Sequence, residues 1–217
     1  MKKILMSAMA FAMVTGSVST VMAQQGFSVS VKATPQFSFL QNSDDNDNGA
    51  LKKKATFNTN FGVGAGYNFT DNVGLGLDVL YSFQGQKSEL LGHEINQKLE
   101  YVKVPVYFSY SADASKPISF FGKVGPQVSF LTNAEISGGE GSVSVKNKDK
   151  FEKATFGAMA QAGVQFKLTQ NIFLQTGLHF DYDFTNTEDK DYIGYLPGRA
   201  NTHNMTAGVQ VGLKYKF

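Results

Sequence analysis

The 217-residue chain contains no cysteine and no tryptophan. Without cysteine it can form neither a disulfide framework nor a thiolate centre, so a metal site could use only histidine and carboxylate ligands. Its 20 basic and 18 acidic residues nearly cancel, and this balance lacks the basic footprint of a nucleic-acid-binding protein. We therefore expect no nucleic-acid partner, and we identify no cofactor or metal site in the sequence.

Long apolar runs are also missing. Beyond the N-terminal segment, no stretch approaches the roughly 18 consecutive apolar residues of a membrane-spanning helix. The mean hydropathy is −0.19, so the sequence excludes a helical membrane protein but not a membrane β-barrel. Phenylalanine (19) and glycine (22) are abundant instead, compared with ordinary usage. This composition favours an all-β chain.

The first 23 residues have the layout of an export signal. A basic pair, Lys2-Lys3, precedes a short apolar stretch and then small residues that end at Ala23; this is the order of a secretory signal peptide. We expect cleavage after Ala23, which assigns 1–23 to a signal peptide and 24–217 to one barrel domain. Removing two lysines from 20 basic residues would leave 18 basic against 18 acidic residues.

Apolar and polar residues alternate with a period of two through the rest of the chain. Between Phe57 and Phe69, for example, apolar side chains dominate the odd positions, while asparagine and glycine fill the even ones. This period is typical of a strand with one apolar face. The eight segments that show it are 27–40, 55–69, 73–84, 98–111, 117–131, 154–168, 172–184 and 203–217.

The connections between these segments are alternately long and short. The long polar ones are 41–54, 85–97, 132–153 and 185–202, and tight turns lie between them. Short turns at one end and long loops at the other are typical of outer-membrane barrels. The sequence therefore predicts an all-β fold, an eight-stranded antiparallel up-and-down transmembrane β-barrel with periplasmic termini and long extracellular loops.

The apolar face of these segments is predicted to point to lipid. It carries no charged residue and 15 of the 19 phenylalanines, which is too much bulk for the narrow interior of eight strands. Glycines on the opposite face would make room inside. Pro35, Pro105 and Pro126 cannot donate to a strand ladder, so we expect bulges or frayed ends there.

Four segments carry a family resemblance. Tyr101-Val-Lys-Val-Pro105-Val-Tyr-Phe-Ser-Tyr110 and Phe121-Gly-Lys-Val-Gly125-Pro126 are similar to the fourth and fifth strands of small outer-membrane barrels common in Bacteroidota. The stretch 157–182 resembles strands six and seven, and 208–217 resembles their terminal strand with its final aromatic residue. Such proteins are often labelled porin-family or OmpA/OmpX-like β-barrel domain proteins. The resemblance covers essentially the whole domain and implies the outer membrane of a Gram-negative bacterium, but no particular activity.

The inward face carries charged and polar side chains, which must be paired or hydrated inside a barrel. Asp78 and Lys123 lie at similar heights and could meet across the lumen. We expect a plug of ion pairs and hydrogen bonds, because eight strands leave no open channel; a gated ion path is the alternative. The predicted lumen network comprises Lys32, Asp78, Tyr101, Lys103, Lys123, Gln161, His179, Asp181 and Lys214.

One part of this face contains groups used in catalysis. His179 shares it with Asp181 and Asp183, and a histidine beside carboxylates can be a general base or part of a metal site. No hydrolase motif or evident nucleophile accompanies them. We therefore do not expect an enzyme.

Two further features concern partners. Tyr215 and Phe217 end an alternating last strand, which resembles the recognition signal for the barrel-assembly machinery. The stretch 44–49 matches the first half of a calcium loop, but Ala55 stands where the bidentate carboxylate belongs, so we expect a solvated hairpin tip. The lysines at 52–54 could contact lipopolysaccharide phosphates or belong to a solvated loop.

These features favour a structural or interactive role, namely membrane integrity, adhesion or surface binding. The expected partners are outer-membrane lipid, lipopolysaccharide, the assembly machinery and an extracellular ligand of loops 41–54, 85–97, 132–153 or 185–202, and we expect a monomer. A narrow porin that passes ions or small solutes is the alternative. A surface enzyme is the function that the sequence supports least.

Overall fold

The computed structural model describes residues 26–46, 51–90, 93–113, 115–138 and 145–217. The signal peptide predicted at 1–23, with its cleavage after Ala23, lies outside these residues and stays a prediction. Within the described ranges, no helix is long and apolar enough to cross a membrane.

The described residues are mostly in long strands, with a four-residue helix, α1, and a single 3₁₀ turn. Strand lengths of up to 20 residues exceed the nine to eleven needed to cross a bilayer. The elements are β1 (Gly26–Gln41), α1 (Ser43–Asn46), β2 (Leu51–Asn68), β3 (Val73–Leu90), β4 (His93–Ser111), β5 (Ile118–Ser137), β6 (Val145–Lys146), the 3₁₀ turn (Lys148–Lys150), β7 (Ala154–Lys167), β8 (Ile172–Asp183) and β9 (His203–Lys216).

The strands close into a barrel. Each long strand pairs antiparallel with the next one in the chain, β5 pairs with β7, and β9 pairs back onto β1. The two-residue β6 adds to β5 outside the eight-strand circuit. The predicted eight-stranded up-and-down barrel is therefore confirmed, and closure leaves no long unpaired edge.

The two ends of the barrel differ. The end that we call the turn end has the connections 69–72, 112–117 and 168–171 together with Gly26 and Phe217. Two of these turns contain the same side-chain-to-backbone hydrogen bond. Thr70 Oγ1 accepts from the Val73 amide at 2.9 Å, and Thr169 Oγ1 accepts from the Ile172 amide at 3.0 Å. Threonine is suited to this local backbone bond. The opposite end, with the longer connections, is the loop end.

Three of the four predicted loops are partly strands. In the stretch 85–97, β3 runs to Leu90 and β4 starts at His93, with Gln86 paired to Gln97. β2 already begins at Leu51, and β5 continues to Ser137. The prediction failed because it followed the loss of an apolar face, whereas backbone pairing continues into water without one. The stretch 185–202 has no named strand, as predicted.

The prediction of bulges or frayed ends at the prolines is wrong. Pro35, Pro105 and Pro126 all stay in register with a neighbouring strand, for example Pro126 with Ala158. A strand residue directs its N–H to one neighbour only, so proline loses one ladder bond while the other side stays paired. The register shifts lie elsewhere, between Ala55 and Asn60 of β2 and beside Glu100 of β4.

The two faces of the sheet have the predicted chemistry. Large apolar side chains such as Phe27, Phe120 and Leu178 are between 66% and 72% exposed on the outer surface, while polar side chains are buried inside. The phenylalanines of the described chain that broke the outward pattern, at 121, 151 and 173, are instead buried. They fill the interior together with the polar network.

Candidate functional site: the polar lumen

The first buried ion pair joins β1 to β3 across the strand between them. Lys32 Nζ lies 2.5 Å from Asp78 Oδ2, with both side chains almost fully buried. Gly64 of β2 pairs directly with Asp78, and a Cβ there would collide with the Asp78 carboxylate. Glycine at this position therefore leaves the space through which the carboxylate reaches Lys32.

Tyr107 completes the surroundings of this carboxylate. Its hydroxyl donates to Asp78 Oδ1 at 2.9 Å, and its ring lies where a side chain on Gly76 would be. The ammonium groups of Lys32 and Lys123 lie 5.7 and 5.4 Å from the ring centroid, within the range of a cation–π interaction. Tyr107 thus connects both lysines.

The suggested contact between Asp78 and Lys123 does not form. Lys32 occupies one oxygen of Asp78 and Tyr107 the other. Lys123 Nζ donates instead to Gln175 Oε1 at 3.1 Å. The contact was suggested because the two residues lie at similar distances from the turn end of their strands. That similarity does not determine which side chains meet inside the lumen.

A second ion pair lies deeper toward the loop end. Lys103 Nζ donates to Asp181 Oδ2 at 2.8 Å, and Thr206 Oγ1 donates to the same oxygen at 3.0 Å. His179 Nε2 lies 3.1 Å from Asp181 Oδ1. Asp183, one pleat further, accepts from Thr155 Oγ1 at 2.9 Å. The acidic side chains of β8 are thus held by cationic and hydroxyl neighbours.

This arrangement does not suit catalysis. His179, Asp181 and Asp183 are each 2% exposed or less, so a substrate from solvent cannot reach them. Across the part of the chain that the structure describes, no group of three or more histidine and carboxylate side chains could hold a metal ion. The geometry supports a structural role for this cluster.

Uncharged amides link the ion pairs to the walls. Near the loop end, Asn60 Nδ2 donates to Gln36 Oε1 at 2.8 Å, and Gln36 Nε2 donates to Ser82 Oγ at 3.0 Å. Near the turn end, Gln175 donates to Gln165 at 3.1 Å. Of the predicted members, Gln161 is buried opposite His179, Tyr101 is fully buried, and Lys214 is half-buried at the turn end.

An apolar cluster closes the loop end above these pairs, and the sequence analysis did not find it. Phe151 was placed in a loop, and Leu99 and Tyr101 lie on the inward side of β4 where a polar face was expected. The register shift beside Glu100 also turns Ala134 inward. Large apolar residues on the inward parity of β4 were the signal that could have revealed it. The apolar cluster comprises Leu40, Leu99, Tyr101, Leu131, Ala134 and Phe151, with Ile136 packed against it.

A small cavity lies in the turn-end half of the lumen. Its volume of about 20 Å³ suits one or two water-sized species. Its lining includes the polar residues Ser28, Ser30, Tyr107, Lys123, Gln175 and Lys214.

The connection 184–202 at the loop end is anchored at its base and exposed at its tip. Arg199 Nε donates to Glu188 Oε2 at 3.0 Å, and Asn42 Nδ2 donates to the Ala200 carbonyl at 2.7 Å. Ile193 is fully exposed and Leu196 is 67% exposed. Anchoring of the base holds these two apolar side chains outside the barrel.

The other predicted contact regions have mixed outcomes. Lys53 donates to the Leu40 carbonyl at 3.1 Å, and Lys54 pairs with Glu89 at 3.4 Å, so these two lysines have partners within the chain. Asp44 Oδ2 accepts from the Ala200 amide at 2.7 Å. Residues 47–50 of the suggested calcium loop lie outside the described residues.

The predicted assembly signal lies at the turn end. The Phe217 amide donates to the Phe27 carbonyl at 3.0 Å, which joins the end of the chain to β1. The rings of Tyr215 and Phe217 lie 5.0 Å apart on the outer surface. Both aromatic side chains are therefore presented outward near the point where the barrel closes.

Solved structures similar to this chain have the same architecture. Neisserial surface protein A (NspA) gives a TM-score of 0.53 at 16% identity, covering 88% of this chain and 97% of that one. OprG from Pseudomonas aeruginosa gives 0.53 at 13%, covering 89% and 97%. A major outer membrane protein from Thermus thermophilus gives 0.51 at 13%, covering 88% and 100%. At these identities the likeness concerns the fold.

The sequence itself matches a family model described as "Outer membrane protein beta-barrel domain" over residues 22–189. No curated protein matches the sequence. The family match spans most of the chain, and the closed barrel with its apolar outer surface agrees with an outer-membrane location. The chain therefore belongs to the outer membrane protein beta-barrel domain family.

Proposed function

We propose that this barrel has a closed lumen and acts structurally or through its loop end, in membrane integrity, adhesion or surface binding. The observation that carries the proposal is the stacking of the apolar cluster above the buried Lys103–Asp181 pair. An ion crossing the lumen would have to displace both, and transfer of an unpaired charge into an apolar layer is costly. The narrow porin is therefore the less favoured function.

The proposal includes the surroundings expected from the sequence. The protein is exported through a signal peptide cleaved after Ala23, and the assembly machinery of a Gram-negative bacterium inserts it as a monomer. Its turn end faces the periplasm, and its loop end faces lipopolysaccharide and the exterior. We propose no enzymatic activity, because His179 lies buried beneath the apolar cluster.

Bilayer recording tests the closed lumen. The folded barrel, reconstituted in planar bilayers, is expected to give no large steady conductance across pH and salt. Such a conductance would overturn the closed lumen and support the porin. A variant that shortens the apolar cluster, Phe151→Ala with Leu99→Ala, serves as a check that the assay detects a widened path.

The exposed tip of connection 184–202 supports surface binding. Exposed apolar side chains that lie close together favour contact with a partner. Ile193 and Leu196 are two such side chains at the tip of this connection. Cells that display the barrel are expected to adhere to epithelial monolayers, and Ile193→Ser with Leu196→Ser should reduce adhesion. Val145→Ser, which changes an exposed apolar residue on β6, is the control. Equal adhesion by the wild type, the double variant and Val145→Ser would argue against a binding role for this tip.

A further inference from the structure

The turn-end half of the lumen carries an excess of positive charge. In the described interior, Lys32, Lys123 and Lys214 lie in this half with the carboxylate of Asp78, and the buried Lys216 lies at its outer end. The acidic side chains of β8 lie toward the loop end, where Lys103 pairs with them. Positive charge is thus concentrated on the side that opens to the turn end.

Asp78 carries a single negative charge, and its direct contacts are with Lys32 and Tyr107 rather than with the other two lysines. Its Oδ2 binds Lys32 at 2.5 Å, and its Oδ1 accepts the Tyr107 hydroxyl at 2.9 Å. Lys123 is 8% exposed and donates to the neutral amide of Gln175. A neutral amide satisfies one N–H but balances no charge, and burial of an unbalanced ammonium group is costly.

Lys123 and Lys214 both line the cavity of about 20 Å³. Ser28 and Ser30 form another part of the same wall, and a hydroxyl group can donate a hydrogen bond to an anion. An ammonium group can only donate hydrogen bonds, because it has no acceptor atom of its own. The cavity therefore offers positive charge and hydrogen-bond donors in a space of one or two water molecules.

We propose that this cavity binds one monovalent inorganic anion of the size of chloride. Such an ion would balance the charge of Lys123 and Lys214 and accept from the Ser30 hydroxyl, since the Ser28 hydroxyl donates to the Gly66 carbonyl at 3.5 Å. The volume is too small for phosphate-bearing or carboxylate-bearing metabolites. Asn68 and Ser111, at strand ends of the turn end, also line the cavity, so the ion enters from the periplasmic side.

A salt titration of the folded full-length domain tests the proposal. The barrel in detergent micelles is unfolded by urea in sodium chloride or sodium gluconate at equal ionic strength. Chloride is expected to raise the unfolding midpoint saturably, and gluconate is not. A ligand of the folded state at 100 times its Kd increases the folding equilibrium constant about 100-fold, so the response gives the affinity directly.

Variants locate the response in the cavity. Lys214→Gln changes a half-buried side chain near the barrel end and is expected to fold but to lose the chloride response. Lys167→Gln, at the same end but outside the cavity lining, should keep it. Lys123→Gln should also abolish the response; if that variant does not fold, Lys214→Gln alone decides.

Crystals soaked in bromide provide a second measurement. An anomalous peak between the ammonium groups of Lys123 and Lys214 is expected in the wild type and should vanish in Lys214→Gln. The proposal is overturned if chloride and gluconate act alike, if Lys214→Gln responds like the wild type, or if no bromide lies in the cavity.

Discussion

Lys103 of β4 and Asp181 of β8 lie 78 residues apart in the chain, yet their charged atoms are 2.8 Å apart inside the barrel. The two side chains are 1% and 2% exposed. Burial of both charges offsets most of their attraction, so the intact pair gives little net stability. Removal of one partner is different, because the other charge stays buried without compensation.

Replacement of Lys103 by methionine is expected to destabilise the barrel by about 3–5 kcal/mol. The Asp181 carboxylate would keep Thr206 and His179 as neighbours but lose its cation. The double variant Lys103→Met with Asp181→Leu should recover much of this loss, because it removes both charges. Both effects are measured by urea unfolding in lipid vesicles. The folded fraction is read from the heat-dependent gel mobility of the barrel.

An exposed ion pair provides the comparison. Lys54 and Glu89 lie 3.4 Å apart with side chains that are 57% and 34% exposed. Lys54→Met should change stability by about 1 kcal/mol or less, because water screens such pairs. If Lys103→Met were equally mild, loss of Lys103 would not leave Asp181 as an uncompensated buried charge.

Gly64→Ala is expected to break the Lys32–Asp78 pair. The added Cβ would collide with the Asp78 carboxylate and also lie 2.9 Å from Ser30 Oγ. The carboxylate oxygen that it meets is the acceptor of Tyr107, so the carboxylate must shift from its place between Tyr107 and Lys32. We expect a loss of up to about 3–5 kcal/mol, the value for a buried pair that loses one partner. The measurement is again the free energy of unfolding in vesicles.

Gly122→Ala is the matched control. Gly122 lies on the outward side of β5, where a Cβ would meet only the Gln161 carbonyl oxygen, at 3.8 Å. An added methyl group there faces lipid and strains nothing, so stability should be unchanged or slightly higher. A similar loss in both variants would indicate a general cost of alanine in these strands rather than a local collision.

The strand periodicity sufficed to predict the barrel because the outer face of each strand must be apolar where it crosses the lipid. The same rule made Phe27 and Leu178 assignable to lipid. It could not predict that β3 continues past residue 84 or that β4 begins before residue 98, since paired strands in water need no apolar face. It also could not place the register shifts, which depend on the fit between two strands.

The lumen was harder to predict than the outer surface. Parity correctly placed Lys32, Asp78, Lys103 and Asp181 inside, but their partners depend on which side chains lean across a glycine such as Gly64. Phe151 joins the apolar cluster from a connection that has no periodicity at all. Both facts follow from packing in three dimensions rather than from local pattern.

Deletion of Phe217 is expected to lower the yield of the barrel in the outer membrane. The ring lies on the outer surface beside Tyr215, where the predicted assembly signal would be available to the machinery. Spontaneous folding into lipid vesicles should be nearly unaffected, because the change lies at the chain end. The two yields are compared by immunoblot of outer membranes and by refolding of purified chain.

Phe27→Ala separates recognition from simple loss of an aromatic side chain. Phe27 is 66% exposed on the neighbouring strand, and its carbonyl binds the Phe217 amide. This variant should assemble in cells nearly as well as the wild type. Equal losses for Phe27→Ala and the deletion would leave no special role for the last residue.

The loop end should become better ordered as the pH falls. Burial raises the pKa of Glu152, and the nearby carboxylates of Asp189 and Asp191 raise it further. An acid with a raised pKa binds its proton more tightly in the folded state, so stability increases as the pH falls through that raised value. The gain is complete once the pH is below the ordinary value of the unfolded segment.

Two backbone hydrogen bonds of this segment report the change in order. The Glu152 amide donates to the Thr187 carbonyl and the Asp189 amide to the Lys150 carbonyl, both at 2.9 Å. Their hydrogen-exchange protection, corrected for the intrinsic rate at each pH, should increase from pH 7 to pH 4. Glu152→Gln, which cannot ionise, should show high protection at both pH values. If this variant gained as much protection as the wild type, another group would control the segment, because Glu152 could no longer contribute.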